Sequence, residues 1–238
     1  MTATPTPTST PISAQDLINH LKAEIAWLDT KWKLFDGLYG RAASQIDEMD
    51  RRTGFPFGVF QDSLLDDVLL SIARLFDAAM YPTYPRNGKE IRYNLTFLAV
   101  KQLSLNITAT EHTTLWNRIE ATKKRLDPLV MHRNRRIGHL DVAVARKIEP
   151  LPAISREEIG NAVADVKQLL IDISVAFDRS GLSFLSTGDE DREVDILIRI
   201  LKLGNDAIDA EREARRKRAK ELTGDDEEIQ DDPLNEWY

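Results

Sequence analysis

Residues 16–49 read DLINHLKAEIAWLDTKWKLFDGLYGRAASQIDEM, and within them Ile18, Leu21, Ile25, Leu28, Trp32, Phe35, Tyr39, Ala42, Ile46 and Met49 follow one another at alternating steps of three and four. An α-helix turns once in about 3.6 residues, so this spacing gathers the apolar side chains on one stripe, the seam of a helix lying lengthwise against others. The stripe predicts one long helix in which Trp32, Phe35 and Tyr39 are core residues rather than a ligand cage. Gly37 and Gly40 weaken its middle and mark a close helix crossing or a kink.

The same periodicity recurs outward from this stretch. RRTGFPFG at 51–58 reads as a break, because Gly54 and Pro56 are poor helix formers. A second helix is predicted over 60–79, with Phe60, Leu64, Val68, Ile72, Leu75 and Ala79 on one stripe. MYPTYPRNGKE reads as a loop. Asn94 then caps a helix through Leu95, Leu98 and Leu103, and Thr110 opens another with Leu115, Trp116 and Ile119. Asp127 and Pro128 signal a further helix start, and that helix should falter near Gly138. VAVARKIEPLPAIS is read as a connection. SREE at Ser155–Glu158 is a capping-box pattern launching Ile159, Val163, Val166, Leu170, Ile173 and Phe177. The last helix, about Asp189–Leu222, carries Val194, Leu197, Leu201 and Ile208 before its charged end. No strand alternation and no internal repeat appears, which predicts an all-α bundle.

The chain has 238 residues, 30% of them charged and 42% hydrophobic, the balance of an ordinary helical domain. Residues 1–13, rich in Thr, Pro and Ser, are expected to be a disordered arm; 14–210 the helical domain; 211–222 a solvated helix end; and 223–238 an acidic disordered tail. There are no cysteines, which removes disulfides, thiolate metal sites and cysteine nucleophiles at once. The amino terminus has neither the basic nor the apolar run of a targeting peptide, and no stretch is apolar for long enough to cross a membrane. A cytoplasmic protein is therefore expected.

The formal charge is −7, yet nine Lys and Arg face three acids over 118–147. The basic residues centre on HRNRRIGH, His132–His139. No phosphate-binding glycine loop and no metal-ligand spacing accompanies them, and no cofactor is expected. Arg133, Asn134 and His139 bring together a permanently charged fork, an amide and an imidazole that titrates near neutrality. Such a set suits metal-free RNA cleavage, in which the ribose 2′-hydroxyl attacks the adjacent phosphorus while a base and an acid move protons and a cation steadies the dianion. Arginine and histidine near a helix end also simply complement its dipole, so spacing alone leaves a structural role open. His132 is given no role.

An arginine, a polar residue and a histidine a few positions on, late in a helical bundle, resemble the signature of the HEPN superfamily. Arg133 and His139 enclose the five residues NRRIG. RNRRIGHLD resembles in particular the branch named after the abortive-infection protein U type. LSIARLFDAA, Leu70–Ala79, is similar to that branch's upstream helix, with Arg74 and Asp77 in matching places. Ile137 and Gly138 stand where many members have an aromatic residue before the histidine. The resemblance covers about Asp16–Gly181 and implies an antiparallel helical bundle that pairs with a second copy, so that two motifs share one cleft. It further implies a metal-independent ribonuclease of toxin or anti-phage type. Arg133 would polarise the phosphate, Asn134 would orient substrate or imidazole, and His139 would transfer protons. One chain offers one suitable histidine while the reaction needs both base and acid, and a two-fold axis supplies the second. Arg135 and Arg136 are expected to line the RNA path. Expected partners are thus a second copy, RNA, and an antitoxin or neighbouring-gene regulator. The alternative is a non-catalytic helical module, an antitoxin, nucleotide-binding partner or scaffold, docking an acidic ligand on the same basic motif.

Overall fold

Ser13 starts the fold: its hydroxyl oxygen accepts from the Asp16 amide at 3.1 Å and caps helix α1, Ala14–Tyr39. The computed structural model describes residues 13–83, 90–102, 107–138, 141–178 and 189–223. The expected disordered arm, 1–13, and acidic tail, 223–238, lie outside these except for Ser13, which caps α1, and Thr223, the last residue of α7. After α1 come α2 (Ala43–Arg74), a hairpin of β1 (Met80–Thr83) and β2 (Glu90–Tyr93), a 3-10 turn (Phe97–Gln102), α3 (Ala109–Arg125), α4 (Asp127–His132), a π turn (Arg133–Ile137), α5 (Val142–Ala145), α6 (Arg156–Asp178) and α7 (Glu190–Thr223). The expected all-α class holds, with one two-stranded antiparallel hairpin, Met80 opposite Tyr93, inside the stretch read as a loop.

Helix α1 is the hub and packs against α2, α6 and α7, while α3 lies on α6 and α4 on α2. Leu17, Ile18, Leu21, Ile25 and Leu28 of α1 meet Val68, Leu69 and Ile72 of α2 and Val163, Val166, Leu170 and Ile173 of α6 in the main core. A smaller core joins Leu38 and Met49 to Val194 of α7. A Cβ on Gly37 would stand 3.0 Å from Val194 Cγ2, so this glycine does mark a close helix crossing. Trp32 stacks on Phe35 at 5.7 Å and Phe35 meets Tyr39 at 5.5 Å between ring centres, as expected for core aromatics. Buried Lys31 joins α1 to α2 through Asp67 at 2.6 Å and Ser71 at 2.9 Å.

The breaks between the first helices fall elsewhere than expected. The long seam is divided between two helices: α1 ends at Tyr39 and α2 starts at Ala43. The Gly40 carbonyl accepts a bond from Arg156, and a Cβ there would lie 2.6 Å from the Asp36 carbonyl oxygen. Arg41 turns out to Asp191 and Asp195 of α7. Conversely, α2 runs unbroken through Gly54 and Pro56. Proline inside a helix costs about 3 kcal/mol. Here it is exposed, where water can take the carbonyl it leaves without a donor. Tertiary contacts hold the helix on both sides of it, through Arg51 to Asp206 at 3.2 Å and through the Tyr39 hydroxyl, which donates to the Phe57 carbonyl at 2.8 Å. Phe60, expected on the buried stripe, is 56% exposed.

At its far end α2 stops at Arg74 rather than Ala79: the Phe76 and Asp77 amides fall back onto the carbonyls of Ala73 and Arg74, at 3.0 and 3.2 Å, and carbonyls beyond Arg74 are claimed by another segment. The Phe97 amide donates to the Leu75 carbonyl at 2.8 Å, the Asn94 side chain to Ala78 at 2.8 Å, and the Asn94 amide to Ala79 at 2.9 Å. Asn94 is therefore a tie between segments rather than a helix cap, and a 3-10 turn stands where a third α-helix was expected. Thr108, not Thr110, caps α3 in a full capping box with Glu111. The box predicted at Ser155–Glu158 forms, with bonds of 2.7 and 3.1 Å.

Candidate functional site

The motif rides on a helix that changes pitch. Pro128 occupies the first turn of α4, as its spacing suggested, although Asp127 makes no side-chain cap and Leu126 holds the cap position. Past His132 the helix widens into the π turn Arg133–Ile137, and the Gly138 amide donates to the Arg133 carbonyl at 2.6 Å. A π turn closes its hydrogen bond one residue further on than an α turn and is frequent at functional positions. A Cβ on Gly138 would stand 3.1 Å from that carbonyl oxygen, so glycine suits the closure where the helix ends.

Each of the three motif arginines meets a carboxylate. Arg133 Nη2 donates to Asp77 Oδ2 at 3.0 Å, and its Nη1 donates to Asn134 Oδ1 at 2.8 Å. Asp77 sits in the turn just beyond α2, its amide donating to the Arg74 carbonyl at 3.2 Å. The contacts that end α2 therefore also place Asp77 before Arg133. The Arg133 side chain remains 26% exposed, so the fork is held in place and still reaches solvent. Arg135 donates from Nε to Asp141 at 2.9 Å and from Nη2 to Glu149 at 2.8 Å. Arg136 is more loosely engaged, 3.4 Å from Asp66 Oδ1 with its side chain 43% exposed. His139 lies outside the described residues.

His132, which the sequence left without a role, ties α4 to the chain after α5. Its Nε2 donates to the Pro152 carbonyl at 2.7 Å, which fixes the tautomer because a carbonyl can only accept. Asp141 is the other organiser. It accepts from Arg135 and from the amides of Ala143, at 2.8 Å, and Val144, at 3.3 Å, and so caps α5. The Arg135 hydrogen bond and then the amide of Val144 hold its carboxyl below the usual aspartate value. A group depressed in the folded state stabilises at pH above its unfolded value, and that contribution is lost as pH falls through the folded value. The α5 cap is therefore expected to survive mild acid and to fray only in stronger acid, with Arg135→Ala moving the loss to higher pH. An NMR titration of the Ala143 and Val144 amides reads this, and an ordinary aspartate midpoint in the wild type would contradict it.

Among the described residues no cluster of three or more His, Asp or Glu could hold a metal ion, and no helix is long and apolar enough to cross a membrane. The resemblance singled out Asp77 in a matching place of the upstream helix, and sequence reasoning missed Asp66, Asp141 and Glu149 as arginine partners. Of these only Asp141 carried a local signal, an aspartate directly before the apolar run VAVA.

The structure joins a helical bundle to an arginine–asparagine pair on a widened turn, and the family comparison names the class of domain. The family model HEPN_AbiU2, described as AbiU2, matches residues 12–196, and the chain belongs to that family. The match is longer than the span suggested by the two short motifs. No curated protein and no solved structure matches the chain.

Proposed function

We propose that the protein is a metal-independent endoribonuclease of the abortive-infection type, acting as a two-fold pair whose motifs share one cleft. The observation that carries this reading is the Arg133 fork, tethered by Asp77 and Asn134 on a π turn while part of it faces solvent. A guanidinium has five N–H donors and these two bonds engage two of them, so a phosphate can be met in a fixed orientation. The 2′-hydroxyl loses its proton to His139 of one copy and attacks phosphorus. Arg133 stabilises the dianionic transition state, and the 5′-oxygen leaves with a proton from the second copy's His139. The products are a 2′,3′-cyclic phosphate and a 5′-hydroxyl. Asn134 orients Arg133, and Arg136, the more exposed of the two flanking arginines, guides the RNA backbone.

The rival reading, a motif that only docks an acidic ligand, uses the same arginines, and the two separate by whether RNA is cut. End-group analysis of RNA incubated with purified protein in EDTA tests the proposal. Cyclic phosphate ends are expected, and uncut RNA with or without added divalent cations would refute it.

Asp77 acts here as a positioning residue. Asp77→Ala frees the fork and is expected to slow cleavage about tenfold, the kinetic equivalent of ~1.4 kcal/mol. Asp77→Asn keeps an acceptor and is expected to recover most of the rate, and the unfolding midpoints of both variants separate this role from lost stability. Equal slowing by the two variants would rule out positioning by the acceptor oxygen.

A further inference from the structure

Helix α7 buries one side and leaves the other unused. Val194 is buried, Ile198 and Leu201 pack beside it, and buried Asn205 donates to the Glu48 carbonyl at 2.9 Å and to its carboxylate at 3.0 Å. On the opposite side Ile196, Ile200, Leu203, Ala207, Ala210 and Ala214 recur at alternating steps of four and three, and all six are exposed, Ile200 by 60% and Leu203 by 61%. That is a coiled-coil seam over two heptads with no partner from the described chain.

We infer that this seam pairs α7 with α7 of a second copy, antiparallel, about a two-fold axis near residue 205. Three observations select this occupant and direction. The seam is large at one end and small at the other, so antiparallel pairing sets Ile196 against Ala214, Ile200 against Ala210 and Leu203 against Ala207, each large side chain filling the room left by an alanine. Parallel pairing would hold the helices apart on isoleucine and leucine at one end and leave alanine facing alanine across a gap at the other. In the same register Arg199 of one copy flanks Glu213 of the other. Asp206 comes opposite its own copy, with its charge already met by Arg51 at 3.2 Å and Lys202 at 3.8 Å. Finally, Gly204 sits mid-helix, where glycine is costly, and a Cβ there would meet nothing in its own chain within 4 Å. It flanks the seam at the two-fold axis, where a partner helix approaches most closely.

The seam is remote from the motif. Helix α7 meets α2 at Glu48–Arg52, whereas Asp66 and Asp77 face the motif, and the rise of a helix puts Arg52 and Asp66 about 21 Å apart along α2. The pairing is therefore independent of the ribonuclease reading and leaves the motif face open for its own two-fold contact; the two contacts together build an assembly larger than a dimer.

The natural chain has no cysteine, so each introduced thiol is unique. Under mild oxidation the full chain carrying Gly204→Cys is expected to cross-link to itself much faster than one carrying Lys202→Cys, which lies on the same helix off the seam. Because a side chain at 204 itself crowds the contact, a second arm mixes chains carrying Leu203→Cys with chains carrying Ala207→Cys. Antiparallel pairing predicts that the mixed cross-link exceeds both self-cross-links. In sedimentation, Ile200→Glu with Leu203→Glu is expected to weaken self-association at least about tenfold. No seam-specific cross-link in either arm, or unchanged association of the glutamate variant, overturns the pairing, and neither readout depends on RNA cleavage.

Discussion

Replacing His139 with alanine is expected to lower RNA cleavage by a factor on the order of ten thousand. A single general acid or base contributes roughly 10²–10⁴. In a shared cleft one substitution removes both the base and the acid, because the two histidines are the same residue in two copies. Residues that work as a unit lose far less than the sum of their separate effects, which sets the expectation at the top of that range rather than at its square. Arg133→Lys is expected to follow with a smaller loss, since an ammonium keeps the charge but not the planar fork that Asp77 and Asn134 hold. Single-turnover rates on a labelled RNA, with circular dichroism to verify folding, measure both. A His139→Ala rate within a few-fold of wild type would move the chemistry elsewhere in the molecule.

The largest effect on stability is expected at Phe97. Its side chain is fully buried, its ring tilted against that of Phe76 with 5.2 Å between ring centres, and its amide holds the Leu75 carbonyl just past α2. Truncating a buried phenylalanine to alanine costs about 3–5 kcal/mol through lost transfer energy and the cavity left behind. Phe97→Ala should therefore unfold at clearly lower urea concentration. The turn it supports carries Asp77, so cleavage should weaken as well under conditions where the variant is still folded. A variant as stable as wild type would mean that Phe76 and its neighbours collapse into the space.

The helices were legible wherever burial follows a local stripe. Ile18, Leu21, Ile25 and Leu28 of α1 are all in the core, and so are Ile159, Val163, Val166, Leu170 and Ile173 of α6. The Ser155–Glu158 box was legible because capping is a local bond between near neighbours. What stayed hidden was decided at long range. Pro56 reads as a breaker, yet α2 continues because Arg51, Arg52 and Phe57 are held by α7 and Tyr39. Asn94 reads as a cap, yet it serves carbonyls that another segment leaves without partners. The π turn has no spelling of its own, since its wider closure is set by what the widened turn must reach. The Arg133–Asp77 pair joins positions 56 residues apart, and only the way α2 ends brings them together.

Growth arrest gives the most direct test of the central claim. Wild type and His139→Ala, expressed from the same promoter in a growing bacterium to equal protein levels, separate a catalyst from a docking module. The proposed chemistry predicts that wild type halts growth as cyclic-phosphate RNA ends accumulate, and that His139→Ala does neither. Equal toxicity of the two, or harmless expression of wild type together with intact RNA, would contradict it.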